Sequence, residues 1–184
     1  MDFSKALPIN KPALWQLQQE LMSEAEALFG TRDESKVIYQ PDWYVDGPHI
    51  RYSANKDGAF AELSFAAQTN WRLAVYQLAH ETVHLLDQHG GQQTILLEEG
   101  AAVRFSLDMM DKYGFSTAGL PSIRTYREAL FLFNSLGVEP YKIMKNCRVG
   151  SLEFNGIDSA VLKSETKGLT SADIFKMLSK PKMR

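Results

Sequence analysis

The sequence predicts an α+β fold: a small, mainly antiparallel sheet over about residues 36–66, packed with a central helix and several further helices. Three observations carry this. Apolar residues alternate with period two only between Lys36 and Phe65, they recur at helical spacing on both sides of that stretch, and Gly, Pro, Asn and Asp cluster at the changes of period. A chain of 184 residues with no repeat, low-complexity run or linker reads as one domain, residues 1–184.

The elements follow in order. Pro12 suits the first turn of a helix to about Phe29, with Leu14, Leu17, Leu21, Ala25 and Leu28 on one side and Gly30 as its stop. Val37 and Tyr39, Trp43 and Val45, Ile50 and Tyr52, and Ala61, Leu63 and Phe65 mark three or four short strands, with hairpin turns at Asp46-Gly47 and Asp57-Gly58. Helical spacing returns at Trp71, Ala74, Val75, Leu78, Ala79 and Val83, capped by Thr69 or Asn70 and ended by Gly90-Gly91. Thr94 is placed to cap the next helix, which runs to about Tyr113 and stops at Gly114. Pro121 opens a helical stretch to about Leu136, and Pro140 a shorter one towards Cys147. Residues 148–168 read equally as strand or irregular chain, and Thr170 or Ser171 caps a last short helix with a basic end.

Composition narrows the function. Twenty basic against 22 acidic residues give a formal charge of −2, which leaves no electrostatic footprint for nucleic acid or an acidic membrane surface. No apolar run approaches the roughly 18 residues of a membrane helix, and the N-terminus lacks the pattern of a secretory signal. The one cysteine, Cys147, cannot form an internal disulfide, so a cytoplasmic location is expected.

The chemistry lies in His80-Glu81-Thr82-Val83-His84. Residues four apart on a helix stand one above the other, so two imidazoles can converge on one metal ion. Glu81, about 100° round the helix, sits where a general base belongs. Random order of four His and twelve Glu gives this pattern with an expectation of about 0.005, against the bland reading of two helix histidines beside a surface glutamate.

Catalytic zinc takes three protein ligands. A third histidine in the spacing H-E-x-x-H-x-x-G-x-x-H would be residue 90, a glycine, with His89 one place short; Asp87 and His89 have no support from their setting. Glu99, about five residues after Thr94, matches the height of His84 before the Gly-Gly stop, so two antiparallel helices bring them together. Gly100, Ala101 and Ala102 are small enough for those helices to approach closely. Glu98 is the alternative ligand, and either glutamate also suits a helix N-terminus.

His80-Glu81-x-x-His84 followed by Glu99-Gly100-x-Ala102 resembles the gluzincin group of zinc metallopeptidases, and Glu99-x-x-Ala102-x-x-Phe105 is similar to its small bacterial members. The resemblance covers about 35 residues. It implies a zincin-like fold, Zn2+ held by His80, His84 and Glu99, and Glu81 as the base for a metal-activated water that attacks a peptide amide. The 14 residues between His84 and Glu99 are fewer than in the larger gluzincins, and no downstream Tyr or His matches their transition-state stabiliser. Arg104, Arg124, Tyr126 and Tyr141 are candidates for that role, and the strand Ala61–Phe65 for pairing with the peptide.

Two rivals stand beside a peptidase. A peptide deformylase shares H-E-x-x-H but takes its third ligand from a cysteine before the helix, whereas Cys147 lies 63 residues after His84. A zincin-like binding or regulatory protein would keep the metal site without turnover.

Overall fold

The computed structural model describes residues 3, 9–88, 93–149 and 153–181. Among them are seven α-helices and a three-stranded mixed sheet, an α+β architecture. No helix among the described residues is long and apolar enough to cross a membrane.

Helix α1 (Lys11–Phe29) starts where Asn10 Oδ1 accepts the Ala13 N–H at 2.9 Å and stops at Gly30, whose φ of 94° only glycine adopts readily. Leu14, Leu17, Leu21, Ala25 and Phe29 are fully buried, so the predicted apolar side is the packed one, with Phe29 rather than Leu28 at its end.

The sheet corrects the expected topology. Val37 to Tyr44 form one strand, β1, rather than two; Pro41, which lacks an N–H, sits in it at a register irregularity between Tyr39 and Asp42. Strands β2 (His49–Tyr52) and β3 (Gly58–Ser64) make the antiparallel hairpin expected at Asp57-Gly58, but β1 pairs with β3 in parallel and the order is β1-β3-β2. Asp46-Gly47 is therefore not a hairpin turn. The link crosses the end of β3 instead: a Cβ on Gly47 would lie 2.7 Å from the Leu63 carbonyl carbon, so only glycine fits. Phe65 leaves the sheet and begins a 3-10 helix, Phe65–Thr69.

Helix α2 (Trp71–Leu85) is capped by Asn70, whose side chain accepts the Leu73 N–H at 3.1 Å. It ends short of the expected Gly90-Gly91, which lie outside the described residues. The Asp33 N–H takes the Leu86 carbonyl at 3.1 Å, and the Asp87 carboxylate turns away to accept the Phe154 N–H at 2.5 Å. One clamp joins α2 to the sheet: Gln77 Oε1 accepts the Ser64 N–H at 2.9 Å and its amide donates to Ser64 Oγ at 2.8 Å.

Helix α3 (Leu96–Lys112) lies against α2 and against α4 (Arg124–Asn134). Gly100 serves the second contact, not the first as the sequence suggested. A Cβ there would stand 2.2 Å from the Ala129 carbonyl oxygen. Helix α5 (Pro140–Arg148) follows, and the stretch read as strand or irregular contains α6 (Ser159–Glu165), capped by Asp158 and seated on buried Leu162. Helix α7 (Ser171–Met177) begins with a reciprocal cap between Thr170 and Asp173.

A candidate metal centre in a cavity beside the sheet edge

His80 and His84 occupy the last two turns of α2, and Glu98 and Glu99 the first turn of α3. The short connection brings these ends together. His80 Nε2 and His84 Nε2 are 3.2 Å apart, and Glu99 Oε2 lies 3.4 Å from the first and 3.9 Å from the second. These atoms form a group able to hold a metal ion. Ligands about 2.0–2.1 Å from a tetrahedral ion stand roughly 3.3–3.4 Å from one another, so the triangle is close to one face of such a site.

The two glutamates differ in placement. Glu98 is fully buried and its Oε1 is 2.7 Å from His84 Nδ1, on the far side of the ring from Nε2. Glu99 faces both histidines, and its Oε1 accepts the Thr94 hydroxyl. Thr94 is thus not the cap of α3, which begins after Ile95 with no side-chain cap.

The polar inventory fits a bound cation. Glu99 Oε2 is buried without a hydrogen-bond partner, a costly state for a carboxylate oxygen that a cation would relieve. Without one, burial disfavours a charged His84, but the carboxylates of Glu99 and Glu98 outweigh it and lift the imidazole to about 10. Burial likewise opposes ionised Glu99, while His84 and His80 hold its carboxyl down to about 2.

Glu81 is 4% exposed, and burial raises its pKa against the opposing pull of His80 and His84. With the triad it lines a cavity of about 310 Å3, to which β2 residues and Tyr126 also contribute. Burial raises the Tyr126 pKa and keeps the phenol protonated, its ring centroid 5.0 Å from that of His80.

No match emerges when the chain is compared with family models, curated proteins or solved structures. Geometry alone carries the functional reading.

Of the residues considered as oxyanion partners, only Tyr126 lines this cavity. Tyr141 donates to Asp108 at 2.6 Å and Arg104 pairs with the same carboxylate at 2.9 Å, while Arg124 borders a neighbouring cavity. Asp87 lines the wall outside the triad, and His89 lies outside the described residues. Strand β3 is flanked on both edges, so Ala61–Phe65 cannot take up a further strand; β2, which lines the cavity, is an edge strand among the described residues.

Sequence reasoning missed two residues. His49, on β2, lines the same cavity as the triad, with its Nε2 3.1 Å from Glu62 Oε2. Its signal was available, since it is one of only four histidines and directly precedes the strand predicted at Ile50 and Tyr52. Arg148 is 3% exposed; it donates to the carbonyls of Phe29, at 2.7 Å, and Gly30, at 3.3 Å, and lies in the fields of Asp87 and Glu98. It supplies the buried positive charge behind the Glu98–His84 pair.

Proposed function

We propose that this chain is a zinc-dependent hydrolase of zincin type that cleaves a peptide amide. The observation that carries the reading is the convergence of His80 Nε2, His84 Nε2 and Glu99 Oε2 on one point of a cavity wall, with buried Glu81 on the same helix. Two imidazoles and one carboxylate suit zinc better than the all-oxygen cations magnesium and calcium.

His80, His84 and Glu99 would hold the ion, with the Glu98 contact fixing the tautomer in which His84 presents a bare Nε2. When bound, zinc supplies Lewis acidity, acidifying a water and polarising a carbonyl. Glu81 accepts the proton of the attacking water at its carboxylate and passes it to the departing amine nitrogen, a task its raised pKa favours. The Tyr126 phenol, kept neutral by burial, donates to oxygen at the cavity wall. An extended peptide adds to the edge strand β2, where main-chain hydrogen bonds hold it beside the triad. Cys147, buried and unpaired, is the ground for placing this activity in the cytoplasm.

The test is a peptide library read by mass spectrometry, with parent and Glu81→Gln protein loaded with zinc. The reading expects cleavage by the parent, and a rate about 10²–10⁴-fold lower in the variant at unchanged zinc content. Stoichiometric zinc without any cleavage would assign the chain to binding or regulation. Equal rates in the two proteins would remove Glu81 as the base.

A further inference from the structure

Next to the triad lies a second, larger cavity of about 790 Å3, within the range of sites that take small ligands. Glu99 and Tyr126 line both cavities, so the two adjoin at the candidate metal ligand itself. A cube of that volume has an edge of about 9 Å, the reach of two to three extended residues.

The wall of this second cavity is cationic. Arg124 opens α4, Lys176 stands on α7 and Lys180 on the segment after it. Lys176 is taken up by Glu128, with Nζ 2.5 Å from Oε1. Arg124 and Lys180 make no ion pair among the described residues, although Arg124 contributes to the field at Glu128. The other carboxylate on the wall, Glu99, is turned to the histidines and Thr94. Three cations thus face one available carboxylate. The wall is also fixed relative to the triad: the Leu96 N–H donates to the Ser179 carbonyl at 2.9 Å, tying the segment that carries Lys180 to the helical turn that carries Glu99.

We propose that this cavity is the substrate's anion subsite: Arg124 and Lys180 receive a carboxylate two or three residues from the scissile amide, from an acidic side chain or the peptide's own C-terminus. Arg124 brings the planar fork that matches a carboxylate, and Lys180 adds a point charge. The inference rests on the peptidase reading and adds its substrate class.

Zinc-loaded Glu81→Gln protein, which binds without turnover, is titrated calorimetrically with four alanine-rich heptapeptides. They carry one glutamate or one glutamine at the same position, each with a free or an amidated C-terminus. A preference of about tenfold for glutamate over glutamine among the amidated pair assigns the side chain as the source; the same preference for free over amidated glutamine peptide assigns the C-terminus. Either ratio persists without zinc, which separates the cavity from coordination at the ion, and falls to about one in Arg124→Ala/Lys180→Ala protein. Four equal affinities, no binding of any peptide, or a preference that survives the double substitution would overturn the assignment. Turnover of the favoured peptide by the parent is measured separately. Charge preference without cleavage removes the peptidase reading and leaves the anion subsite standing.

Discussion

The Glu98 carboxylate lies 2.7 Å from Nδ1 of His84, on the opposite side of the imidazole from the Nε2 that faces His80 and Glu99. With a cation in place of the Nε2 proton, a buried acceptor at Nδ1 holds the remaining proton there and makes the ring a stronger donor to the ion. Glu98→Gln keeps the shape and an acceptor but removes the charge. Zinc affinity, measured by chelator competition, is expected to fall about 10–100-fold. An unchanged affinity would mean that Glu98 serves only packing.

Metal binding is expected to stabilise the fold, because the triad converges only when α2 and α3 are docked. At a free zinc concentration 100 times the dissociation constant the gain is about 2.7 kcal/mol, read as a rise in melting temperature that EDTA reverses. His84→Ala should abolish that rise. Magnesium at the same excess should produce none, for want of an all-oxygen site.

Gly100→Ala tests the docking of α3 on α4. Its Cβ would meet the Ala129 carbonyl oxygen at 2.2 Å and Phe133 Cβ at 2.8 Å, so backbone has to move. A loss of about 1–3 kcal/mol or more in urea denaturation is expected, where an ordinary helical Gly→Ala change would stabilise. Because Glu99 adjoins Gly100, zinc affinity should fall with it.

Arg148→Met would remove a buried positive charge from the fields of Glu98 and Asp87 and would strip the donors from the Phe29 and Gly30 carbonyls. The expected cost is about 3–5 kcal/mol. Arg148→Lys should recover only part of it, since one ammonium cannot span carbonyls set out for a planar fork.

Cys147 should be inert in the native protein. Burial, reinforced by the Glu165 carboxylate, pushes its thiol up from 9.0 to about 11, so at pH 8 only about one molecule in a thousand carries the reactive thiolate. Iodoacetamide is expected to label it slowly at pH 8 and rapidly in guanidinium. The raised value also means that the thiol's contribution to stability is present below pH 9 and is lost as the pH rises towards 11.

How much of this was written locally differs from element to element. The helix from Pro12, the start of the helix from Asn70 and the end of α3 were legible because their apolar faces, Asn70 as cap, and Gly30 and Gly114 as stops are properties of neighbouring residues. So were His80, Glu81 and His84, whose spacing is fixed by one turn of helix. The parallel pairing of β1 with β3 was not: Asp46-Gly47 has the composition of a hairpin turn, and what makes Gly47 necessary is the Leu63 backbone beneath it, 16 residues further on. The division of labour between Glu98 and Glu99 depends on the rotation of α3 about its own axis, which adjacent residues cannot announce. His49 and Arg148 reach the site from other elements, and their relevance arises only once the chain is folded.

The clamp between Ser64 and Gln77 ties the last residue of β3 to the turn of α2 just before His80. His49 pairs in register with Glu62, two residues earlier on β3, so the sheet-side lip of the cavity and the helix bearing the histidines are one piece. Across the opening, the close approach of Gly100 to Ala129 seats the helix of Tyr126 on the helix of Glu99 with no spare room. The two sides of the aperture are thus each braced from behind, one by the Ser64–Gln77 hydrogen bonds and the other by the contact of Gly100 with the Ala129 carbonyl.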